Sequence, residues 1–164
     1  MDSRAAAKVL VAAVADQVPT LLIIGCCPVP TTRDLLHASS RHGTSARIIS
    51  ISDSEVPRQY QRRRRWPEGV VFASRRDRHL DDLHLPTGHG ALVLDCCPTC
   101  RQQAVRLDEV ARALEPGSPV VVLGATRLAA VTGMLDAGLV NVESRRVLRR
   151  RGADRFMVRG RVPR

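Results

Sequence analysis

Five short apolar runs recur along this chain, each closed by a small or polar residue: TLLIIG (20–25), ARIISIS (46–52), GVVFAS (69–74), ALVLD (91–95) and PVVVLG (119–124). Runs this short, with little polar alternation, are characteristic of strands buried on both faces. Such strands belong to parallel sheets covered by helices. Parallel neighbours need crossover connections of a dozen or more residues, and the intervals here are long enough for them. The chain is therefore constrained to an α/β fold with a doubly wound, mostly parallel sheet. Its 164 residues fit one domain spanning 1–164.

The intervals support this assignment. Residues 4–16 read as a helix with Ala6, Val9, Leu10, Ala13 and Val14 on one face. A second helix is expected over 32–41, capped by Thr31 or Thr32 and ended by His42-Gly43. The segment from Asp53 to Arg65 is polar, arginine-rich and interrupted by Pro57, and 75–90 reads as a loop. Residues 101–114 form an amphipathic helix on Ala104, Leu107, Val110, Ala111 and Leu114, ended by Pro116-Gly117. Another helix is expected over 126–137, stopped by Gly138. Two last strands, 139–148 and 154–161, are joined by Arg151-Gly152 and complete a seven-stranded sheet.

The net charge is +10, which invites an anionic partner, RNA above all. Lys8 is the single lysine among 26 basic residues, a skew that GC-rich coding also produces. The block Arg62, Arg63, Arg64 and Arg65, followed by Trp66, is the sequence's nucleic-acid candidate, with Trp66 placed to stack on a base. Its bland counterpart is a solvated loop or helix end. No apolar run approaches the roughly 20 residues of a membrane span. The run VLVAAVA at 9–15 is short and preceded by Asp2, so it is read as a helix face rather than a leader, and a cytoplasmic location is expected.

All five cysteines fall at the ends of two strands: Cys26 and Cys27 after the first, Cys96, Cys97 and Cys100 after the fourth. Cys97-Pro98-Thr99-Cys100 has metal-ligand and redox spacing, and Cys27, Cys97 and Cys100 are the candidate ligands. Adjacent cysteines on a strand end point in different directions, so no metal is expected. The bland reading makes the thiols small buried fillers. His79, His84 and His89 recur every five residues, a spacing that suits neither a helix face nor a strand face.

The order of elements resembles the class I S-adenosylmethionine-dependent methyltransferases. IIGCCPVPTTRDLL resembles the family's first glycine-rich motif, ARIISISDS the second strand and its end, and ALVLDCCP the fourth-strand motif. EVARALEPGSPVVVLG resembles the following helix, turn and fifth strand. LDAGLVNVESRRVLRR with RFMVRGR resembles the closing antiparallel hairpin, which separates this Rossmann-like fold from other doubly wound sheets. The resemblance implies S-adenosylmethionine as the ligand to consider. It would be held by Gly25, Cys26, Cys27, Pro28, Ser52, Asp53, Asp95 and Cys96.

The motifs depart from the family pattern at several positions. Cys27 and Val29 stand where further glycines are expected, and Ile23 where the first strand carries an acid. Ser52 stands where the second strand carries the acid for the ribose hydroxyls. Asp53 replaces it only if that strand ends early. Ser74, Arg75 and Arg76 stand where an acid follows the third strand, while Asp95 is retained at the end of the fourth.

The leading expectation is a methyltransferase-like protein with an eroded cofactor motif and a binding or assembly role toward a small molecule or protein. The alternatives are a divergent active methyltransferase, a basic RNA-associated domain, and a thiol or metal site at the strand ends. No catalytic residue is singled out.

Overall fold

All five apolar runs are strands of one sheet. The structure is a computed structural model that describes residues 20–25, 47–52, 70–74, 80, 90–95, 106–124, 126–150 and 153–164. In chain order the parallel strands are β1 (Thr20–Gly25), β2 (Arg47–Ser52), β3 (Val70–Ser74), β4 (Ala91–Asp95) and β5 (Pro119–Gly124). They are followed by β6 (Val140–Arg150) and β7 (Ala153–Arg161). Among the described residues the sheet has seven strands in the order β3-β2-β1-β4-β5-β7-β6. β7 inserts antiparallel between β5 and β6, so the sheet is mixed and its parallel part is closed off by a hairpin.

Both faces of β1, β2, β4 and β5 are buried, as their apolar runs require, while Val71 on the edge strand β3 is exposed. One face carries Leu22, Ile24, Ile49, Val93 and Val122, which join a single core with helix residues Val110, Ala130 and Met134. Ile23, Leu92 and Val121 alternate onto the other face and are equally buried. Each such side chain withdrawn from water contributes roughly 1.5–3 kcal/mol before entropy is counted. What covers the second face lies outside the described residues.

Two helices are described: α1 (Leu107–Arg112) and α2 (Arg127–Asp136). The amphipathic reading of 101–114 places the right face inward: Val110 and Leu114 are buried, with Leu107 and Ala111 packed against the core. Its start needs correction. Arg106 has extended backbone, with φ −73 and ψ 108, so the helix begins at Leu107 rather than running through from 101. Asp108 and Glu109 in the first turn complement the positive end of the helix dipole there.

Helix α2 ends as its glycine predicts. Gly138 has φ +75, Gly138 N–H donates to the Leu135 carbonyl at 2.9 Å, and Leu139 N–H donates to that of Met134 at 3.0 Å. This is a Schellman motif, with Leu139 and Met134 both buried. Between α1 and β5, Ser118 N–H donates to the Glu115 carbonyl at 3.1 Å across Pro116 and Gly117, and Gly117 has φ +83. Proline followed by a positive-φ glycine is the type II turn combination.

The hairpin departs from expectation in its length. β6 runs to Arg150 and β7 starts at Ala153, so pairing continues past the expected ends at 148 and 154. The ladder shifts register between Val140 and Glu143, where Asn141 takes φ 54, and again between Arg146 and Leu148. Asn tolerates the left-handed region better than most residues, which suits it to a bulge.

Candidate functional site

The sheet's chain order reverses between β1 and β4. From β1 the chain steps outward to β2 and β3; it then returns to β4 and steps the other way to β5. In an open α/β sheet this reversal leaves a crevice beyond the carboxyl ends of the strands, and ligands bind there.

Strand register aligns the ends that border it. Gly25 pairs with Ser52 on one side and Leu94 on the other, and Ser52 pairs with Ser74. Asp95 stands one step beyond that row, in register with Gly124. Three residues singled out from the sequence, Gly25, Ser52 and Asp95, are therefore brought to one edge of the sheet. Gly25 is buried. β2 keeps its pairing through Ser52, its last residue, and Asp53 follows outside the described residues. Ser52 carries one hydroxyl where a carboxylate would accept two hydrogen bonds from a diol.

Cys26, Cys27, Pro28, Asp53 and Cys96 lie outside the described residues. So do the thiols Cys97 and Cys100. The nucleic-acid candidate, Arg62, Arg63, Arg64, Arg65 and Trp66, lies outside them as well. Among the described residues there is no group of three or more side chains able to hold a metal ion. No described helix is long and apolar enough to cross a membrane.

Among the described residues, the shifted charges stand at the start of α1. Arg106 donates to both Asp108 carboxylate oxygens, at 3.2 Å from Nε and 2.7 Å from Nη2, and Arg112 Nη1 donates to Oδ2 at 3.3 Å. The hydrogen bond from Arg106, with the two positive charges, holds the Asp108 carboxyl below its ordinary value. The same bond raises Arg106.

Two buried polar residues escape a reading of the sequence. Ser50, mid-β2, is fully buried in register with Ile23, and Glu109 on α1 is buried with Arg106 Nε 3.5 Å from its carboxylate. Nothing in their sequence neighbourhood marks them, because a serine in an apolar strand and a glutamate in a helix are both common on surfaces.

Toward an adenosyl ligand the described strand ends fit in outline, and the other residues named for it lie outside the described residues. The strand ends make the frame, with Gly25 at its centre, while Ser52 lacks the carboxylate.

No family model and no curated protein matches this chain. Solved structures do. A putative methyltransferase from Haloferax volcanii, in complex with the Trm112 methyltransferase activator, superposes with a TM-score of 0.72 at 15% identity, covering 99% of this chain and 90% of that one. The 1,6-didemethyltoxoflavin-N1-methyltransferase of Burkholderia thailandensis, bound to S-adenosylhomocysteine, gives 0.66 at 16% identity, covering 99% and 79%. The [4+2]-cyclase SpnF gives 0.67 at 15% identity, covering 97% and 80%. The chain has the Rossmann-like fold of the class I methyltransferases, with the antiparallel hairpin at the C-terminal side of its sheet.

Proposed function

We propose that this is a methyltransferase-like protein whose crevice keeps the family's frame without its ribose-holding acid, and that it acts by binding or assembly rather than by conventional methyl transfer. The observation that supports this most is the β1–β2 ladder. It makes Ser52, a hydroxyl, the last strand residue beside Gly25. A single neutral hydroxyl replaces the charge-assisted bonds that a carboxylate gives to a diol, and bonds to charged groups contribute about 1.5–3 kcal/mol each.

The fold itself does not entail methyl transfer, since function resides in the site and not the scaffold. SpnF is a cyclase on this architecture, and the Haloferax protein is held in a complex with an activator. A binding or assembly role is consistent with both.

A second reading is supported by the intact strand-end register: a divergent methyltransferase in which Gly25 and Asp95 still border bound S-adenosylmethionine. Catalysis there would rest on positioning acceptor and donor, which asks little of particular side chains. Isothermal titration calorimetry with S-adenosylmethionine separates the two. The proposal expects dissociation constants weaker than about 100 μM, near −5.5 kcal/mol. Micromolar binding that is lost in Asp95→Asn supports the methyltransferase instead.

A further inference from the structure

Helix α2 carries large apolar side chains on its outward side. Its inward residues, Ala130 and Met134, are buried in the core. Leu128 is nonetheless 79% exposed and Leu135 57% exposed. A single exposed leucine is ordinary on a protein surface. These two stand seven residues apart, which is two helical turns, so they lie on one line with exposed Thr132 between them. Val140, 42% exposed at the start of the edge strand β6, follows just past the turn that ends the helix.

The charges of α2 are inverted relative to its own dipole. Arg127 opens the helix and Asp136 closes it, with no acid in its first turn and no base in its last. A cation near a helix N-terminus and an anion near its C-terminus are each unfavourable to that helix. Both side chains are exposed, and neither is in an ion pair among the described residues.

The element is also close to palindromic. Arg127 and Asp136 are equidistant from a point between Val131 and Thr132, and so are Leu128 and Leu135. Consider a second copy laid antiparallel across this face, with a two-fold axis at that point. Leu128 of each copy comes level with Leu135 of the other. Each Arg127 stands beside the C-terminal end of the neighbouring helix, and each Asp136 beside its N-terminal end. The charges that oppose their own dipole then complement the neighbour's. A two-fold interface needs such self-complementarity, because the same patch serves on both sides.

We infer that the outward face of α2, through Leu128, Thr132 and Leu135, is the contact by which two copies of this chain associate antiparallel about a two-fold axis. The helix has ten residues and is about 15 Å long. An interface centred on it is smaller than the roughly 1,200 Å² of stable complexes, so the association is weak and concentration-dependent. The inference does not depend on whether the crevice holds a ligand.

The test is sedimentation velocity over about 1–500 μM, with dissociation expected on the order of 100 μM. The mass should rise from 18.0 kDa toward twice that value. Leu128→Gln/Leu135→Gln should weaken association by about tenfold or more. Its melting midpoint at about 1 μM, where wild type is monomeric, should match that of wild type, since both side chains face water there.

Arg127→Asp makes both helix ends acidic, and Asp136→Arg makes both basic. Each variant alone should associate less than wild type, and an equimolar mixture should recover association through opposite charges. Both substitutions improve the match of the helix to its own dipole, so lost association cannot be put down to lost helix.

Wild type that stays monomeric at about 500 μM would overturn the inference and leave the face to a different protein. A dimer that the leucine variant leaves intact, or a charge-variant mixture that stays monomeric, would also overturn it. So would a lowered melting midpoint of the leucine variant at low concentration, which would put a segment of the same chain on this face.

Discussion

The two halves of this sheet share one buried frame and differ in what stands at their edges. Around β1, β2 and β4 the register is that of an open ligand-binding sheet, yet the position beside Gly25 at the end of β2 is a serine. Around β5, β6 and β7 the hairpin is extended past β5 and loaded with arginine. Backbone pairing and buried apolar rows maintain the fold in both halves. The polar residues at the strand ends and on the edge strand are free of that constraint, and there the two halves differ. The contrast lies at the edges: one presents a serine beside Gly25, the other an arginine-rich hairpin.

Substitutions probe this contrast, first in the shared frame and then at its margins. The largest effect is expected from Ile24→Ala, which empties a fully buried position in the row Ile24–Val93–Val122–Val158 that runs from β1 through to β7. A loss of about 2–5 kcal/mol is expected in denaturant unfolding. It should come as one cooperative transition, because the two halves share that row. Two separable transitions would contradict the picture of one frame.

Gly160→Val comes next. A Cβ at Gly160 already lies 3.3 Å from both Leu139 Cβ and Met134 Sδ, so two further methyls force α2 away from β7. Overpacking of this kind costs about 1–3 kcal/mol by denaturant titration.

Gly138→Ala is smaller. The Schellman turn needs φ +75, and an added Cβ in the left-handed region costs roughly 1–2 kcal/mol, read as a lowered melting midpoint. Nothing lies within 4 Å of that added Cβ, so the loss is conformational and neither edge should respond.

The smallest effect belongs to Asp108→Asn. Folding lowers the Asp108 pKa, so its pairing with Arg106 and Arg112 stabilises the protein above the ordinary aspartate range. That contribution disappears as pH falls through the folded value. Melting curves of wild type and variant should differ slightly at neutral pH and converge in acid.

The sequence states much of the frame and less of the edges. β1, β4 and β5 are recognisable to the residue because a continuous apolar run records burial on both faces, and a glycine or aspartate closes each one. The helix at Leu107 is recognisable by its face but not by its start, since Arg106 takes the extended backbone of an N-cap without an N-capping residue type to announce it. β6 continues through Arg149 and Arg150, where no apolar alternation remains, because its pairing with β7 carries the strand. At the crevice, Gly25, Ser52 and Asp95 are identifiable as strand ends. That Leu94 and not Asp95 stands opposite Gly25 is a matter of register, which only the ladder supplies. Among the arginines the sequence makes Arg62, Arg63, Arg64 and Arg65 conspicuous because they are consecutive, while the charge that the described fold organises lies in the hairpin.

The proposed reading of the crevice turns on Ser52, which offers no carboxylate to accept from a ribose diol. Restoring the acid in Ser52→Asp, and titrating wild type and variant with S-adenosylhomocysteine by calorimetry, puts that to the test at a single residue. Weak binding to wild type is expected, with a gain of about tenfold or more in the variant, the size of one charge-assisted hydrogen bond. Micromolar binding to wild type that Ser52→Asp leaves unchanged or weakens would contradict it.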